Sequence, residues 1–418
     1  MMARLPAGGG RFTRAVADMA VEFITRTARG TAAAVAHLNG LAVAGVLGHA
    51  DLEGAVVQPP GTPVHDLNGE VLFHRMRLER GGLPVGYVDV ADHPGLGAPL
   101  VAMAHGVDWQ GLRLVDAARE AAAERYGIRD VDAARLVAYS FPKLAVQLLD
   151  GEREVAMLEV GTWEPVPERR DRDAGEPPSD FERWSFLDEL AEEDRERRQR
   201  SFEETNEALS SLHNQVTGGG GAAALAMPHL ISPPQWAGFI PSFIFTLSRE
   251  LHFSTRDTDH HPCYEVRGQE TSVWCVGAST QMVLDFYRYG YTQTRIAQQL
   301  GLGTVQNPNG LPYSRDGDVV TALETLTGNA LTATMLTTPP FSSYTAEIQA
   351  NRPLISFIPG HSRTVAGYDH VISNQPALNF EGLLVYDPWP PNAGVVTRWE
   401  NFAVQTYRRA FTAQVTLV

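Results

Sequence analysis

The stretch GQETSVWCVGASTQMVLDFY, Gly268 to Tyr287, decides how this sequence is interpreted. Cys275, at its centre, is one of only two cysteines in 418 residues. The apolar residues after it recur at helical spacing (Ala278, Met282 and Phe286), which predicts a helix with Cys275 in its first turn. The positive end of a helix dipole lowers the pKa of a thiol, so this position favours a nucleophile. The alternative is a small apolar residue buried at the start of a structural helix.

Length, composition and charge narrow the class of protein. A chain of 418 residues exceeds one compact core, and 44% hydrophobic with 20% charged residues is a globular composition. The net charge of −15 opposes binding to phosphate backbones, so no nucleic-acid partner is expected. The uncharged segment 31–47 is dominated by alanine and glycine, so no membrane span is predicted. Without a secretory-signal pattern, we expect a cytoplasmic protein, or one exported without a cleavable signal peptide.

The first part of the chain predicts helical and mixed structure. Residues 1–54 are rich in small residues and predict a helical N-terminal segment. A helix pattern over Leu114–Gly127 ends at a glycine and precedes two strand-like runs joined at an Asp-Gly turn, Asp150-Gly151. A helix followed by a hairpin predicts a separate small α+β domain of unknown function over residues 55–165.

A charged linker is predicted between this domain and the C-terminal part. Ser179 and Glu182 have the spacing of a capping box and predict a helix over FERWSFLDEL, residues 181–190. The run AEEDRERRQR that follows is charged on all faces and predicts a solvated helix. Residues 166–222 are therefore interpreted as a helical charged linker, and residues 223–258 as a connecting segment.

Residues 259–418 predict a C-terminal domain in which a general base and its orienting acid can be proposed. His361 begins one β-rich run and Asp387 ends the next. If the two runs pair antiparallel, positions 361 and 387 are equidistant from Asn374 in the loop between them, and they lie at the same end of the pair. An imidazole base needs such a carboxylate to fix its tautomer and to stabilise the imidazolium ion. His370 is the rival base, but it lies towards the other end of the strand.

A candidate oxyanion donor precedes the cysteine. Gln269 lies six residues before Cys275, on the loop that leads into the predicted helix. Its side-chain amide and the backbone N–H of Cys275 can together meet a developing oxyanion. Asp316 and Asp318, further along the domain, are interpreted as a turn residue and a helix cap.

Metal-ligand residue types cluster before the predicted helix, but we expect no metal site and no other cofactor. A structural zinc site normally has a second paired set of ligands, and no further cysteine is available to supply one. A disulfide with the second cysteine would remove the thiol of Cys275 and is retained as a minor alternative. The residues of the cluster are Asp257, Asp259, His260, His261 and Cys263.

The stretch SVWCVGASTQMVLDFYRYGYTQTRIAQQL resembles papain-like bacterial cysteine peptidases of the AvrRpt2 type and, more distantly, C39-like peptidases. In these families a Trp-Cys pair opens a central helix packed on an antiparallel sheet, a glutamine precedes it by six residues, and a "Q…IA" helix follows. Two further motifs, GHSRTVAGY and DPWP, match the family patterns for the base and the acid. The resemblance covers about residues 255 to 415. It implies Cys275 as nucleophile, His361 as base, Asp387 as orienter and Gln269 as oxyanion donor.

The resemblance implies a cysteine peptidase that hydrolyses peptide or isopeptide bonds in a protein or peptide substrate. The family commonly has an aromatic residue directly after the cysteine, where this chain has Val276, so the groove near the nucleophile is expected to differ. A transamidase or acyltransferase would use the same acyl-thiol intermediate, and a non-catalytic interaction protein would use the same scaffold. The N-terminal domain is expected to restrain or target the catalytic domain, and the glycine run at 218–221 is a candidate for self-cleavage.

Overall fold

A computed structural model describes residues 56–106, 111–167, 183–218, 244–251, 264–373 and 379–416. The predicted helical segment 1–54, the capping box at Ser179 and Glu182 and the candidate metal ligands at 257–263 lie outside these residues.

The N-terminal described residues form seven strands and one long helix, followed by a second helix. The strands are rich in apolar residues, mainly valine, leucine and alanine, and alanine is the commonest residue of the first helix. The elements are β1 (Val56–His65), β2 (Val71–Arg80), β3 (Leu83–Ala91), β4 (Leu100–His105), α1 (Gly111–Tyr126), β5 (Ala133–Ser140), β6 (Lys143–Asp150), β7 (Arg153–Glu159) and α2 (Glu192–Gly218).

The C-terminal described residues combine four helices with nine strands. The elements are β8 (Ile244–Glu250), α3 (Cys275–Phe286), α4 (Gln293–Leu300), β9 (Gly303–Thr304), β10 (Asn307–Pro308), α5 (Asp318–Leu326), β11 (Leu331–Thr337), α6 (Phe341–Gln349), β12 (Leu354–Ile358), β13 (His361–Ser373), β14 (Phe380–Asp387), β15 (Val395–Asn401) and β16 (Arg409–Val415). The predicted α+β fold class is confirmed.

One mostly antiparallel sheet of fourteen strands runs through the described part of the chain. Within the C-terminal part, β14 pairs along one edge of β13, while β12 and β8 divide its other edge. Strand β8 lies inside the segment that sequence patterns identify only as a connector. The strand order is β11-β16-β12-β13-β14-β15-β4-β3-β2-β1-β5-β6-β7, with β8 beside β13.

The N-terminal and C-terminal strands are joined by direct backbone pairing. Strand β15 pairs antiparallel with β4, so that Glu400 lies across from Ala102 and Trp399 across from Met103. A shared hydrophobic core lies beside this junction, because Trp389 is buried among N-terminal residues such as Phe141. The predicted region boundaries stay predictions, but the N-terminal and C-terminal strands are hydrogen-bonded into one sheet.

The central helix α3 is buried on nearly every side. Eleven of its twelve residues are buried, including the predicted apolar positions Ala278, Met282 and Phe286. The helix contacts strand β13, where the hydroxyl of Thr364 donates to the backbone carbonyl of Ser279 at 3.2 Å. A central helix packed on an antiparallel sheet is the arrangement that the resemblance predicts.

The predicted helix over residues 181–190 is wrong for its described part, residues 183–190. These residues form turns, with Trp184 and Phe186 buried in the shared core. The carboxylate of Asp66 accepts hydrogen bonds from the Ser185 hydroxyl and, at 3.2 Å, from the Phe186 backbone N–H. These tertiary bonds satisfy polar groups without a helix, so the local periodicity is overridden by packing.

Helix α2 begins where the charged run predicts a helix, but one of its arginines is buried. Arg198 donates to the carbonyl oxygens of Val404 at 2.9 Å and Gln405 at 3.3 Å. Burial lowers the pKa of Arg198 to about 10. The helix is therefore bonded to the segment between strands β15 and β16, and it is not solvated on all faces. Among the helices in the described ranges, none has the length and apolar character that a membrane crossing requires.

We predict that Glu400→Gln destabilises the protein at the sheet junction. Glu400 accepts hydrogen bonds from Arg363 at 2.9 Å and from Tyr407 at 3.0 Å, in a buried ion pair. Loss of one charge leaves a buried guanidinium without its counter-ion, which costs about 3 kcal/mol. Chemical denaturation measures the free energy of unfolding. The control is Asp150→Asn at the exposed pair with Arg153, where a loss of less than about 1 kcal/mol is expected; equal losses would contradict the prediction.

Candidate active site

Cys275 is the first residue of helix α3. Its thiol is free of any disulfide, and the residue is only 1% exposed. Trp274 precedes the helix and offers no side-chain cap, while its ring N–H donates to the Leu302 carbonyl at 2.9 Å. The tryptophan thus anchors the start of the helix, and the cysteine lies at the positive end of the helix dipole.

His361 and Asp387 are in direct contact. The Nε2–H of His361 donates to Oδ1 of Asp387 at 2.7 Å, and both side chains are buried. The same carboxylate oxygen accepts the backbone N–H of Trp389 at 2.8 Å. The other imidazole nitrogen, Nδ1, is buried and has no hydrogen-bond partner among the residues that the structure describes. The carboxylate therefore holds the tautomer that leaves the Nδ1 lone pair free to accept a proton.

The strand register differs from the symmetric pairing that the sequence suggests. Thr364 pairs with Tyr386 and Val365 with Val385, and a bulge precedes Gly367. In this register the position across from Asp387 is 363, two residues beyond His361. The contact forms because His361 and Asp387 lie at the same end of the strand pair, within reach of their side chains.

The electrostatic environment of His361 favours the neutral imidazole. Burial lowers its pKa, and the carboxylate of Asp387 opposes this effect. The positive charges of Lys143 and Arg363 lower the pKa further. The net direction is downward, so the imidazole is available as a base over a wider pH range than an exposed histidine.

Cys275 and His361 line the same pocket. On its wall, Arg408 contacts Asp316 at 3.2 Å and lies over the ring of Tyr313, 3.6 Å from the centroid. Asp316, interpreted from sequence as a turn residue, ends a short 3-10 helix and forms part of this wall. Tyr313 and Arg408 were not identified from sequence, since neither stands in a motif that distinguishes it. The remaining lining residues are Val276, Leu311, Phe357, Ile358 and Ser362.

Gln269 lies on the loop before helix α3 and is fully buried. Its side-chain Nε2 donates to the carbonyl of Thr271 at 2.8 Å, while its Oε1 meets no hydrogen-bond donor within the described part of the chain. The residue is not among those that line the pocket of Cys275. An amide nitrogen carries two hydrogens, so the contact with Thr271 leaves a second N–H for another acceptor.

Gln293, at the start of helix α4, holds the peptide groups on both sides of Gln269. Its Nε2 donates to the carbonyl of Gly268 at 2.8 Å, and its Oε1 accepts the backbone N–H of Glu270 at 2.9 Å. The loop is also bonded to the segment after strand β14, because Gln269 N–H donates to the Pro388 carbonyl at 2.9 Å. The "Q…IA" motif contained this residue, but its role in bracing the loop depends on tertiary contacts.

The rival candidates lie elsewhere. The ring of His370 packs edge-on against Phe341 at 5.3 Å and does not line the pocket. The interpretation of Asp318 as a helix cap is wrong, because the N-cap of helix α5 is Gly317 and no side chain caps it. Asp318 is the first helical residue, and its carboxylate accepts from Arg315 at 2.7 Å. Within the described ranges, no group of three or more His, Cys, Asp or Glu side chains is placed to hold a metal ion.

A family comparison agrees with this geometry. Residues 261–415 match the Peptidase_C39 like family. The match confirms the predicted resemblance of the C-terminal region to C39-like, papain-like cysteine peptidases. It spans less than half of the chain and none of the residues before 261. The likeness to the AvrRpt2 type and a bacterial origin stay predictions.

The similarity of the chain to individual proteins is weak. One solved structure, "Crystal structure of UfSP from C.elegans", is 12% identical to this chain, with a TM-score of 0.22. The alignment covers 41% of this chain and 34% of that chain, about a third of its length. A likeness this weak carries no inference about function. No curated protein matches the chain.

We predict that Gly268→Ala disrupts the Gln269 loop. A Cβ at position 268 would lie 2.3 Å from the backbone nitrogen of Ala393, which neither backbone can accommodate without moving. We expect a destabilisation of about 1–3 kcal/mol, together with faster amide exchange at Gln269. Chemical denaturation and hydrogen exchange measure the two effects. Gly317→Ala is the control, because its Cβ would meet no atom within 4 Å; indistinguishable variants would refute the prediction.

Proposed function

We propose that the chain is a cysteine peptidase that hydrolyses peptide or isopeptide bonds. In this proposal Cys275 is the nucleophile, His361 the base, Asp387 the orienter and Gln269 the oxyanion donor. The observation that carries the proposal is the buried hydrogen bond between His361 and Asp387 at a pocket that Cys275 also lines. The family match over residues 261–415 supports the same class of chemistry.

The proposed reaction follows from the free nitrogen of His361. Nδ1 accepts the thiol proton as the sulfur of Cys275 attacks the substrate carbonyl, and Asp387 stabilises the imidazolium that forms. The imidazolium then protonates the leaving amine. Water attacks the thioester with His361 again as base, and the free thiol is restored.

Stabilisation of the oxyanion is assigned to two donors in the proposal. The first donor is the backbone N–H of Cys275, the first residue of α3. The second N–H of the Gln269 amide is the other donor, and the bonds from Gln293 hold the loop that carries it. Gln269 reaches the carbonyl oxygen only if its side chain turns towards the pocket when substrate binds.

We predict that Cys275→Ala abolishes peptidase activity on a general protein or peptide substrate, while Cys263→Ala retains it. Removal of the nucleophile eliminates the acyl-thiol intermediate, so kcat falls by about 10⁴-fold or more. Peptide turnover and labelling by a thiol-directed activity probe are measured together. Activity that survives in Cys275→Ala would end the proposal, and a wild-type chain that neither cleaves nor labels would indicate a non-catalytic scaffold.

The products of the same assay separate hydrolysis from acyl transfer. A transamidase would pass the acyl group from Cys275 to an amine, and a hydrolase passes it to water. We expect the mass of the free acid whether or not an amine is added. Products that carry the amine in preference to water would replace the hydrolase proposal with an acyltransferase.

We predict that Asp387→Asn moves the acid limb of the kcat/KM profile to lower pH. Asp387 raises the pKa of His361 against the effect of burial, so loss of its charge lowers that pKa further. The imidazole then stays unprotonated to lower pH, although kcat falls on the order of 10²-fold or more because the imidazolium is less stabilised. The pH dependence of kcat/KM tests this. An acid limb that is unchanged or moves to higher pH would contradict it.

A further inference from the structure

We propose that the N-terminal strands β1–β7 help to hold the catalytic residues in place. In this proposal Trp389 and Glu159 are positioning residues for Asp387. This inference rests on the proposed function, since it concerns how the orienter of the base is held. It assigns the N-terminal strands a structural role behind the site.

The first step is the double contact of Trp389. Its backbone N–H donates to the Asp387 oxygen that also accepts from His361. Its indole ring is buried in the hydrophobic core formed mainly by N-terminal residues, which include Phe141 and Leu144. The indole ring thus anchors Trp389 in the N-terminal core, and the backbone N–H of Trp389 orients the carboxylate of Asp387.

The second step is the polar anchor of the indole. The ring N–H of Trp389 donates to Oε1 of Glu159, the last residue of strand β7, at 3.3 Å. Glu159 is buried and also accepts from the Tyr139 hydroxyl at 2.7 Å and from the Thr162 hydroxyl at 2.9 Å. Three donors hold this carboxylate in place, as a buried charge requires. The anchor is therefore built from three parts of the N-terminal chain.

The N-terminal strands also place charge beside the base. Lys143, the only lysine in the chain, begins strand β6, is fully buried and lowers the pKa of His361. The other charged groups that act on His361 are Asp387 and Arg363. The pocket adds the ion pair of Asp316 and Arg408.

The described N-terminal strands contribute no residue to the pocket wall, since the lining residues lie between positions 275 and 408. Their contact with the site is made through Trp389, whose backbone N–H bonds Asp387 and whose ring bonds Glu159. The expectation that the N-terminal domain restrains or targets the catalytic domain stays a prediction.

The test uses two substitutions in the full chain. Trp389→Phe keeps an aromatic ring in the core but removes the indole donor, and it changes no charge. Glu159→Gln keeps an acceptor of the same shape but weakens all three bonds. If these residues position Asp387, both variants hold His361 less well, and kcat falls between about 10- and 100-fold with little change in KM.

A second readout separates positioning from general stability. Weaker contact with Asp387 lowers the pKa of His361, so the acid limb of kcat/KM and the NMR titration of the imidazole both move to lower pH. The His361 signal is assigned by its loss in His361→Gln. The matched control is Glu154→Gln on the same strand, which breaks an ion pair with Arg183 and is expected to leave both titrations unchanged.

The outcomes are distinct. Titrations of Trp389→Phe and Glu159→Gln that coincide with wild type would overturn the inference, as would activity losses that only follow the folded fraction. The NMR titration requires no turnover. If wild type proves inactive, the proposed function fails while a shifted imidazole titration in both variants still supports the positioning roles, and an unshifted one overturns them.

Discussion

The contact between His361 and Asp387 is the interaction on which the site depends. A buried carboxylate is costly unless donors surround it, and Asp387 obtains them from the imidazole and from the Trp389 backbone. The second donor requires the chain after strand β14 to turn so that the Trp389 N–H faces the carboxylate two residues before it. Gln269 supports that segment, because its N–H donates to the Pro388 carbonyl and its carbonyl accepts from Asn392. The dyad and the loop before Cys275 are thus two sides of one hydrogen-bonded structure.

The continuous sheet supports the segment that carries Asp387, because N-terminal strands pair with the strand next to it. Without the N-terminal region, strand β15 would be an open edge, with unpaired backbone groups next to the strand that ends at Asp387. Strand β4 pairs with that edge, and the Arg363–Glu400 pair lies buried beside the junction. The indole of Trp389 enters the N-terminal core on the same side. The region that resembles a peptidase is therefore completed by strands that the family match does not include.

The sequence predicted the features that depend on neighbouring residues and missed those that depend on contacts between distant parts of the chain. The helix that begins at Cys275 was predictable because apolar residues recur along it at helical spacing. The shared strand end of His361 and Asp387 followed from two β-rich runs around one loop. At Asp387 the observed register differs by two residues from the symmetric pairing, and the bulge before Gly367 changes the register by one residue along the strand. Neither the loop geometry nor a bulge leaves a periodic signal in the sequence. Pairing of β15 with β4, and burial of Arg198 in a highly charged helix, arise between residues far apart in sequence. The helix over 181–190 failed for the same reason, since Asp66 supplies the competing bonds.

The charges around the pocket bear on how the proposed reaction begins. Arg408 on the pocket wall is paired with Asp316. Burial and the cations Lys143 and Arg363 disfavour a resting imidazolium. In the proposed mechanism the neutral imidazole of His361 is then the resting form of the base, and its positive charge appears as the sulfur attacks. Asp387 is of most use at that moment, because it stabilises the cation when it forms and leaves the base neutral before then.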